Sequence, residues 1–248
     1  MEIKGTTALV TGANRGIGKT YVEELLKRGA KKVYVTARKK GDLSDLLSSG
    51  DDRMVPITLD VTDEAAAKAA ASQATDVSLL INNAGYAAFE GAISSADTNA
   101  ARHEMDVNYF GTLSVTRAFA PVLAANGGGT VVNMLSMLSL VSLPLAATYS
   151  ASKAAALSLT RSLRAELAGD GIVVFGVLAV QTETEMGTKL PEPRLTPAEV
   201  VTDALDAVES GSNEEVIAGS LTKTTYAAFT ADPRAFQAKA STRLPSRF

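Results

Sequence analysis

The feature that most constrains the fold is a regular alternation along the 248-residue chain. Short runs rich in β-branched residues are separated by longer stretches rich in Ala and Leu. The runs that predict strands are residues 6–11, 32–37, 54–59, 77–82, 129–135, 172–179 and 214–218. The stretches that predict helices are residues 18–28, 63–74, 97–125, 149–169 and 197–210. This alternation is typical of a parallel sheet with helices on both faces, so the sequence predicts an α/β, doubly wound sheet of about seven strands.

Composition excludes several classes of function. The chain has no Cys and a single His, His103, so thiol nucleophiles, disulfides and Cys/His metal sites are excluded and we expect no metal. The formal net charge of -3 does not favour nucleic acid or anionic membranes, so we expect a small-molecule partner. The first residues lack the order of a signal peptide, and polar residues interrupt the longest apolar stretch, residues 131–147. We therefore expect a cytoplasmic protein.

A glycine-rich turn joins the first predicted strand to the first predicted helix and reads TGANRGIG from Thr11 to Gly18. Glycine permits a sharp turn and lets backbone N–H groups approach a pyrophosphate at the positive end of a helix. The residues of this turn that we expect to bind a dinucleotide are Gly12, Asn14, Arg15, Gly16, Ile17 and Gly18. The alternative is a helix-capping turn that binds no ligand.

Tyr149 and Lys153 lie four residues apart at the start of a predicted helix, so their side chains share one face. An unperturbed phenol has a pKa of about 10, and a neighbouring ammonium favours the phenolate, so we expect Lys153 to lower the pKa of Tyr149 into a useful range. The alternative is an ordinary surface contact. Ser136 favours the first interpretation, because it follows a predicted strand at the sheet edge where open α/β folds bind ligands. Ser139 lies on the same loop and is the rival hydroxyl.

These motifs occur together in an order that resembles the short-chain dehydrogenase/reductase family, in particular an NADP-preferring, carbonyl-reductase-like member. The residues that carry the resemblance are the glycine turn, Asn82-Asn83-Ala84-Gly85, Asn108, Ser136 and Tyr149-Ser150-Ala151-Ser152-Lys153. The resemblance implies a single Rossmann-type domain over residues 1–248 that binds the dinucleotide and carries the catalytic residues. Within it, residues 182–197 would form the substrate loop, and residues 221–248 a C-terminal extension of short helices and a tail.

The resemblance also implies a role for each matching residue. Tyr149 would be the general acid/base, Lys153 would hold the nicotinamide ribose, Ser136 would bind the substrate oxygen, and Asn108 would organise a proton path. Cofactor contacts are implied for Asp60, Val61, Asn83, Ala84, Gly85, Tyr149, Lys153, Val180 and Thr184.

Three residues have simpler alternative interpretations. Asp60 could be a helix cap, and Asn108 could satisfy a local backbone group. His103 lies beside Arg102 and Glu104 in a polar helical stretch, where a solvated face is the simpler account. We assign His103 no chemical role.

The end of the second predicted strand indicates which dinucleotide binds. NAD sites often place an acid there to bind the ribose, whereas an NADP site must neutralise a 2′-phosphate. This chain has Ala37 at that point, followed by Arg38, and Arg15 and Asn14 can act from the glycine turn. The sequence therefore predicts NADP (NADPH), although residues 38–40 could also be a solvated basic turn.

The chain departs from the family after the sixth predicted strand. Relatives generally carry a Pro-Gly pair there, and this chain has Ala179-Val180. Branched Val180 should narrow the space near the nicotinamide. The residues expected to line the substrate pocket are Tyr86, Met137, Leu138, Leu140, Leu143, Met186 and Leu190. This mostly apolar set predicts an uncharged, partly apolar carbonyl or alcohol substrate.

The sequence thus predicts an NADPH-dependent oxidoreductase that reduces a ketone or aldehyde to an alcohol, or runs the reverse reaction. One alternative is an NADPH-binding sensor or regulator without turnover. Another is a dehalogenase-like enzyme on the same scaffold, although such relatives replace the lysine with arginine. By resemblance we also expect a homodimer or homotetramer that pairs helices 97–125 and 149–169.

Overall fold

The computed structural model describes residues 1–212 and 214–245, and within this part seven strands form one parallel sheet. The strands are β1 (Thr7–Val10), β2 (Lys32–Ala37), β3 (Met54–Thr58), β4 (Leu79–Asn82), β5 (Gly129–Met134), β6 (Ile172–Leu178) and β7 (Glu215–Ile217). Their order across the sheet is β3-β2-β1-β4-β5-β6-β7. The predicted doubly wound α/β fold is therefore confirmed. The chain changes direction across the sheet between β1 and β4, and a crevice opens beyond the carboxyl ends of strands at such a point.

Helices cover both faces of the sheet. They are α1 (Gly16–Lys27), α2 (Ser44–Leu47), α3 (Glu64–Gln73), α4 (Asn99–Met105), α5 (Thr112–Ala125), α6 (Ala147–Leu167), α7 (Pro197–Ser210), α8 (Ser220–Ala231) and α9 (Pro233–Ala240). The start of α7 shows why the boundaries follow from sequence. Thr196 and Glu199 form a reciprocal capping box, and Pro197 occupies the first turn, where no backbone N–H is needed. No helix in the described ranges is both long enough and apolar enough to cross a membrane.

The predicted helix 97–125 is divided by a π-helical turn at Asp106–Gly111, which lies between α4 and α5. A Cβ atom at Gly111 would lie 2.7 Å from Cγ2 of Val61, so the helix passes unusually close to the chain that follows β3. A π turn adds a residue to a helical turn and changes the faces that the flanking turns present. The turn contains Asn108, which is buried below the carboxyl edge of the sheet.

The sheet is packed between two apolar layers. One layer joins it to α1 and α7, and the other joins it to α3, α5 and α6. A smaller cluster, which includes Leu135, Met137 and Leu157, lies beneath Tyr226 and Phe229 of α8. Phe236 of α9 packs against Phe229, with 6.0 Å between ring centroids, and the last aromatic residue of the extension, Phe248, lies outside the described residues.

The extension is also tied to the loop after β5 by a pair of hydrogen bonds. The Ser142 N–H donates to Oε1 of Gln237 at 2.9 Å, and Nε2 of Gln237 donates to the Ser142 carbonyl at 2.8 Å. Helix α9 therefore supports the loop that begins at Ser136.

Candidate active site

The glycine turn has the geometry expected of a phosphate cradle. Gly12 and Gly16 have positive φ values of 62° and 52°, which side chains rarely adopt. A Cβ atom at Gly18 would lie 2.1 Å from the Gly12 carbonyl oxygen, so only glycine lets the helix approach the turn this closely. Arg15 occupies the N-cap position of α1 but makes no capping bond through its side chain, and the first turn contains no acid. The positive end of α1 is thus available to an anion.

Asn83 holds the glycine turn against the end of β4. Its Nδ2 donates to the carbonyl oxygens of Thr11 and Gly12 at 2.9 and 3.1 Å. In return, the Thr11 hydroxyl accepts from the backbone N–H groups of Asn83 and Ala84 at 2.9 and 3.0 Å. This network joins the carboxyl ends of β1 and β4, so the turn and the segment after β4 keep a fixed relative position.

Asp60 lies at the carboxyl end of β3 and is not the cap of α3. That role belongs to Asp63, whose side chain accepts from the N–H groups of Ala65 and Ala66. Asp60 instead accepts from the backbone N–H and the hydroxyl of Thr62 at 3.0 and 2.7 Å. Partial burial raises the pKa of Asp60, but the bonds from Thr62 and the charge of Arg38 outweigh it, and the net shift is downward. The helix-cap alternative is excluded, and Asp60 and Arg38 act on each other electrostatically at this end of the site.

The two basic residues expected near the 2′-phosphate differ in their surroundings. Arg38 is exposed immediately after the buried Ala37, and the side chain of Lys40 lies outside the described structure. Arg15 is paired with Glu185 of the substrate loop, with 2.7 Å between guanidinium and carboxylate, and both side chains are mostly exposed. Exposed pairs of this kind contribute less than about 1 kcal/mol, so Arg15 can exchange its partner readily.

Tyr149 lies on the first turns of α6 against residues from two loops. Its ring centroid is 6.0 Å from that of Phe89, and the Ser136 hydroxyl is the neighbouring group that lowers the pKa of the phenol. The rival hydroxyl of Ser139 instead accepts from the Ser136 N–H at 3.3 Å, as part of a small capping box. The structure therefore brings Ser136, and not Ser139, to the phenol.

Burial dominates the electrostatics of Tyr149 and Lys153. Burial raises the pKa of Tyr149 to about 12, although Ser136 acts in the opposite direction. Burial lowers the pKa of Lys153 to about 8. The Lys153 ammonium donates to the Met134 carbonyl at 2.9 Å and lies 5.8 Å from the centre of the Tyr149 ring. The expectation that Lys153 brings the pKa of Tyr149 below its ordinary value is thus wrong for this geometry, because desolvation outweighs the distant charge.

Asn108 connects the helix that contains it to the segment after β4. Its Oδ1 accepts from the Tyr86 N–H at 2.9 Å, and its Nδ2 donates to the Tyr86 carbonyl at 2.8 Å and to the Ser152 hydroxyl at 2.9 Å. The local-bond interpretation of Asn108 is therefore correct for the side chain, since both of its N–H groups are used by these contacts. A Cβ atom at Gly85 would lie 3.3 Å from Oδ1 of Asn108 and 3.7 Å from Nζ of Lys153, so the glycine keeps open the space beside both residues.

Val180 and Thr184 lie at opposite ends of the segment that follows β6. Val180 packs against the apolar core, and its N–H donates to the Thr222 hydroxyl at 3.2 Å. A methyl carbon of Thr184 lies 3.0 Å from where a Cβ atom would be placed on Gly16. Thr184 is thus beside the phosphate cradle.

The substrate loop is held together by Arg194, which the sequence analysis did not single out. The guanidinium donates to the carbonyl oxygens of Gly187 and Leu190 at 3.3 and 3.1 Å, and it also pairs with Glu192. An isolated arginine in a loop gives no sequence signal for this role, because its acceptors are backbone groups.

Two of the residues expected to line the substrate pocket face elsewhere. Met137 and Leu140 pack in the small apolar cluster beneath the C-terminal helices. Leu140 also borders an open depression beside α6, on the far side from the phenol. The expectation failed because apolar loop residues can bury against the protein itself. Near Tyr149 the wall includes Phe89, which together with Tyr86 also borders a second depression next to α4.

The interpretation of the stretch around His103 as a solvated face is wrong for Glu104. Glu104 is 0% exposed, and His103 packs its ring against Tyr86 at 4.6 Å between centroids. The signal that could have located Glu104 is its spacing, because it precedes Asn108 by one helical turn.

These residues fit a dinucleotide. The cradle of glycines offers unpaired helix N–H groups, Asp60 and Arg38 lie at the neighbouring strand end, and Gly85 leaves room beside Lys153. The residues at the ends of β2 and β3, the glycine turn and Lys153 would hold such a group, which would supply a hydride.

Comparison with known proteins agrees with this geometry. The sequence model described as short chain dehydrogenase matches residues 6–195. Galactitol 2-dehydrogenase (L-tagatose-forming) of Cereibacter sphaeroides is 35% identical over 196 residues, which are 77% of this chain and 77% of that protein. The crystal structure of a short chain dehydrogenase from Burkholderia cenocepacia, in complex with NADP, superposes with a TM-score of 0.91 at 44% identity and covers 97% of this chain and 99% of that one. A short chain dehydrogenase/reductase from Burkholderia phymatum, in complex with NAD, has a TM-score of 0.75 at 25% identity, with coverage of 85% and 88%.

The family model matches most of the chain, a dehydrogenase is 35% identical over 77% of it, and the fold is shared with a solved short chain dehydrogenase. This protein therefore belongs to the short-chain dehydrogenase/reductase family.

Proposed function

We propose that this oxidoreductase reduces a ketone or aldehyde to an alcohol with NADPH, or runs the reverse reaction, and that Tyr149 transfers the proton. The observation that carries the proposal is the grouping of Ser136, Tyr149 and Lys153 beside the glycine cradle, at the carboxyl edge of the sheet. A proton donor and a hydroxyl that can bind an oxygen atom are what carbonyl reduction needs from a protein.

Tyr149 is suited to donate a proton at neutral pH. With a pKa of about 12 it stays protonated, so in the reducing direction its O–H is available to the substrate oxygen. Ser136 is the hydroxyl that acts on the phenol, and it would bind the same substrate oxygen. In the oxidising direction Tyr149 must first lose its proton, and a higher pH is required for that.

Lys153 is suited to stabilise negative charge as it develops on the phenol. Its pKa of about 8 keeps it mostly protonated at pH 7, and it lies over the Tyr149 ring. The bond to the Met134 carbonyl uses one of its three donors, and the other two can hold ribose hydroxyls.

NADPH is the proposed cofactor, and it would supply the hydride when bound. The support is the exposed Arg38 after Ala37, with Arg15 able to leave the weak pair with Glu185. The B. cenocepacia relative, in complex with NADP, is consistent with this choice. Gly12, Gly16, Gly18 and the start of α1 would hold the pyrophosphate.

We further propose an uncharged, partly apolar substrate. Phe89 lies near the phenol, and Leu138 and Leu143 are half-buried on the loop that begins at Ser136. The relative that forms L-tagatose from galactitol supports an alcohol and ketone pair as the reacting groups.

The experiment is to follow NADPH and NADH absorbance with a panel of ketones and aldehydes, and to measure the binding of both cofactors without substrate. Turnover of NADPH with at least one carbonyl compound is expected. Tight NADPH binding without turnover on any of them would favour a sensor instead. Turnover without either nicotinamide would favour a dehalogenase-like reaction, which Lys153 disfavours because such relatives have arginine there.

A homodimer or homotetramer is proposed for the assembly. Phe110, in the π-helical turn next to α5, is half exposed, and the Ala-rich side of α6 would permit close approach of a second copy. Light scattering at micromolar concentration tests this, and a monomer would contradict it.

A further inference from the structure

Glu104 is a buried acid that the proposed reaction does not use. It lies on α4 with 0% of its surface exposed. One carboxylate oxygen, Oε1, accepts from the Ala88 N–H at 2.9 Å. The other, Oε2, is buried without a hydrogen-bond partner among the residues that the structure describes. A buried carboxylate with an unpaired oxygen is costly, so its retention calls for a reason beyond packing.

Glu104 binds the segment of residues 86–89, in which the Phe89 ring lies 6.0 Å from that of Tyr149. Ala88 lies within this segment, between Tyr86, whose backbone is held by Asn108, and Phe89, whose ring faces that of Tyr149. Phe89 has a φ of 56°, a conformation that a bulky residue adopts only where its surroundings impose it. Glu104 and Asn108 lie one helical turn apart and bind the two ends of the same short segment. Glu104 therefore fixes the conformation of the wall beside the phenol.

Two charged side chains act on Tyr149 from the elements packed around it. Lys153 approaches from α6, and Glu104 approaches from α4. Ser136 contributes its hydroxyl from the loop after β5, while His103 is stacked on Tyr86, one residue away from Glu104 on α4. The charge of Glu104 reinforces burial in raising the pKa of Tyr149.

We propose that Glu104 is a positioning residue for the proton transfer: it anchors the 86–89 segment over Tyr149 and presents to the phenol a negative charge opposed to that of Lys153. The inference rests on the proposed role of Tyr149. In the reducing direction the O–H bond of Tyr149 breaks, the proton forms an O–H bond with the substrate oxygen, and a phenolate is left. Glu104 disfavours that phenolate, so its charge raises the pH up to which Tyr149 keeps the proton that it donates. Lys153 favours the phenolate only where it is itself protonated, below about pH 8.

The test compares four variants. Glu104→Gln removes the charge but keeps an oxygen that can accept from Ala88, and Glu104→Leu is a second neutral variant of similar size. Glu104→Asp keeps the charge. Glu90→Gln removes one charge from an exposed position just beyond the 86–89 segment and is the matched control.

The first measurement needs neither cofactor nor substrate. Phenolate absorbance is measured within milliseconds of a jump to pH 11. The same measurement is made on each variant with Tyr149→Phe added, and the difference between the two gives the absorbance of Tyr149 alone. We expect the neutral variants to lower the pKa of Tyr149 by about half a unit, which gives roughly threefold more phenolate at pH 11. Glu104→Asp and Glu90→Gln should match the wild type.

The second measurement is the pH profile of kcat. The first alkaline loss of carbonyl reduction should follow Lys153, whose pKa is about 8, and should stay unchanged in Glu104→Gln while the phenolate reading shifts. Unchanged Tyr149 phenolate in folded neutral variants would overturn the proposal, as would a shift in Glu104→Asp equal to that in Glu104→Gln. If both neutral variants fail to fold, Glu104 is a stability element and the proposal also falls. A wild type that reduces no carbonyl would instead refute the proposed function, while the phenolate reading still decides the effect of Glu104.

Discussion

Lys153→Met should make the protein without cofactor more stable at pH 7, although it removes a residue of the candidate active site. Lys153 is 5% exposed, and burial lowers its pKa from 10.5 to about 8. A shift of that size corresponds to about 3 kcal/mol of destabilisation when the group is charged in both states. The variant leaves the Met134 carbonyl without its donor, which costs about 1 kcal/mol. Methionine fills a similar volume, so the net gain should be about 2 kcal/mol.

The pH dependence of this gain follows from the direction of the pKa shift. Because the pKa is lower in the folded state, both states carry the proton below pH 8 and the full penalty is present there. Between pH 8 and the unfolded value of 10.5, the folded protein gives up its proton first and the penalty disappears. The advantage of Lys153→Met should therefore be largest at pH 7 and absent by about pH 10.5.

The assay is urea unfolding followed by circular dichroism at pH 7 and pH 10.5, at matched protein concentration and without nucleotide. Lys68→Met is the control, because Lys68 is exposed on α3 and should show no such pH dependence. A variant less stable than the wild type at pH 7 would refute the reasoning. So would a gain of equal size at both pH values.

Three further predictions concern the cofactor and the nicotinamide side of the site. Ala37→Asp combined with Arg38→Ile should shift relative binding affinity from NADPH toward NADH by roughly tenfold to a hundredfold, because one charge-assisted phosphate contact is lost. An unchanged ratio of the two dissociation constants would contradict the phosphate assignment. Glu185→Gln frees Arg15 from its exposed ion pair and should tighten NADPH binding by up to about fivefold, measured by calorimetric titration. Weaker binding would show that the Arg15–Glu185 pair helps to form the cofactor site. Val180→Gly should lower the free energy of unfolding by about 1–2 kcal/mol, because Val180 packs on the core. It should also broaden the range of ketones that are reduced, as measured by kcat/KM for each ketone. An unchanged substrate profile would show that Val180 has little effect on the pocket.

The arrangement of strands and helices was predictable because each element has a local signal. Buried parallel strands such as β6 are continuous apolar runs, and α7 starts at a capping box that can be read from four consecutive residues. The π turn that divides α4 from α5 was not predictable, since it depends on the approach of Gly111 to Val61, which is distant in sequence.

The residues that form the candidate site could be predicted from the sequence, but the pKa shift of Tyr149 could not. Tyr149 and Lys153 were located from helical spacing, and the structure brings Ser136 and Asn108 to the same edge. The sign of the pKa shift of Tyr149 was missed because it depends on the depth of burial, which spacing does not report. Glu104 was missed because its polar neighbours along the chain suggested solvent, whereas its face of α4 turns inward.

The central claim is that Tyr149 transfers the proton, and Tyr149→Phe tests it most directly, because only the phenolic oxygen and its proton are removed. The measurement pairs NADPH binding by fluorescence titration with steady-state reduction of a carbonyl compound that the wild type turns over. The dissociation constant of NADPH should stay within about twofold of wild type, while kcat/KM falls by about 100-fold to 10,000-fold, the usual contribution of a positioned general acid. Retained wild-type turnover in Tyr149→Phe would contradict the account.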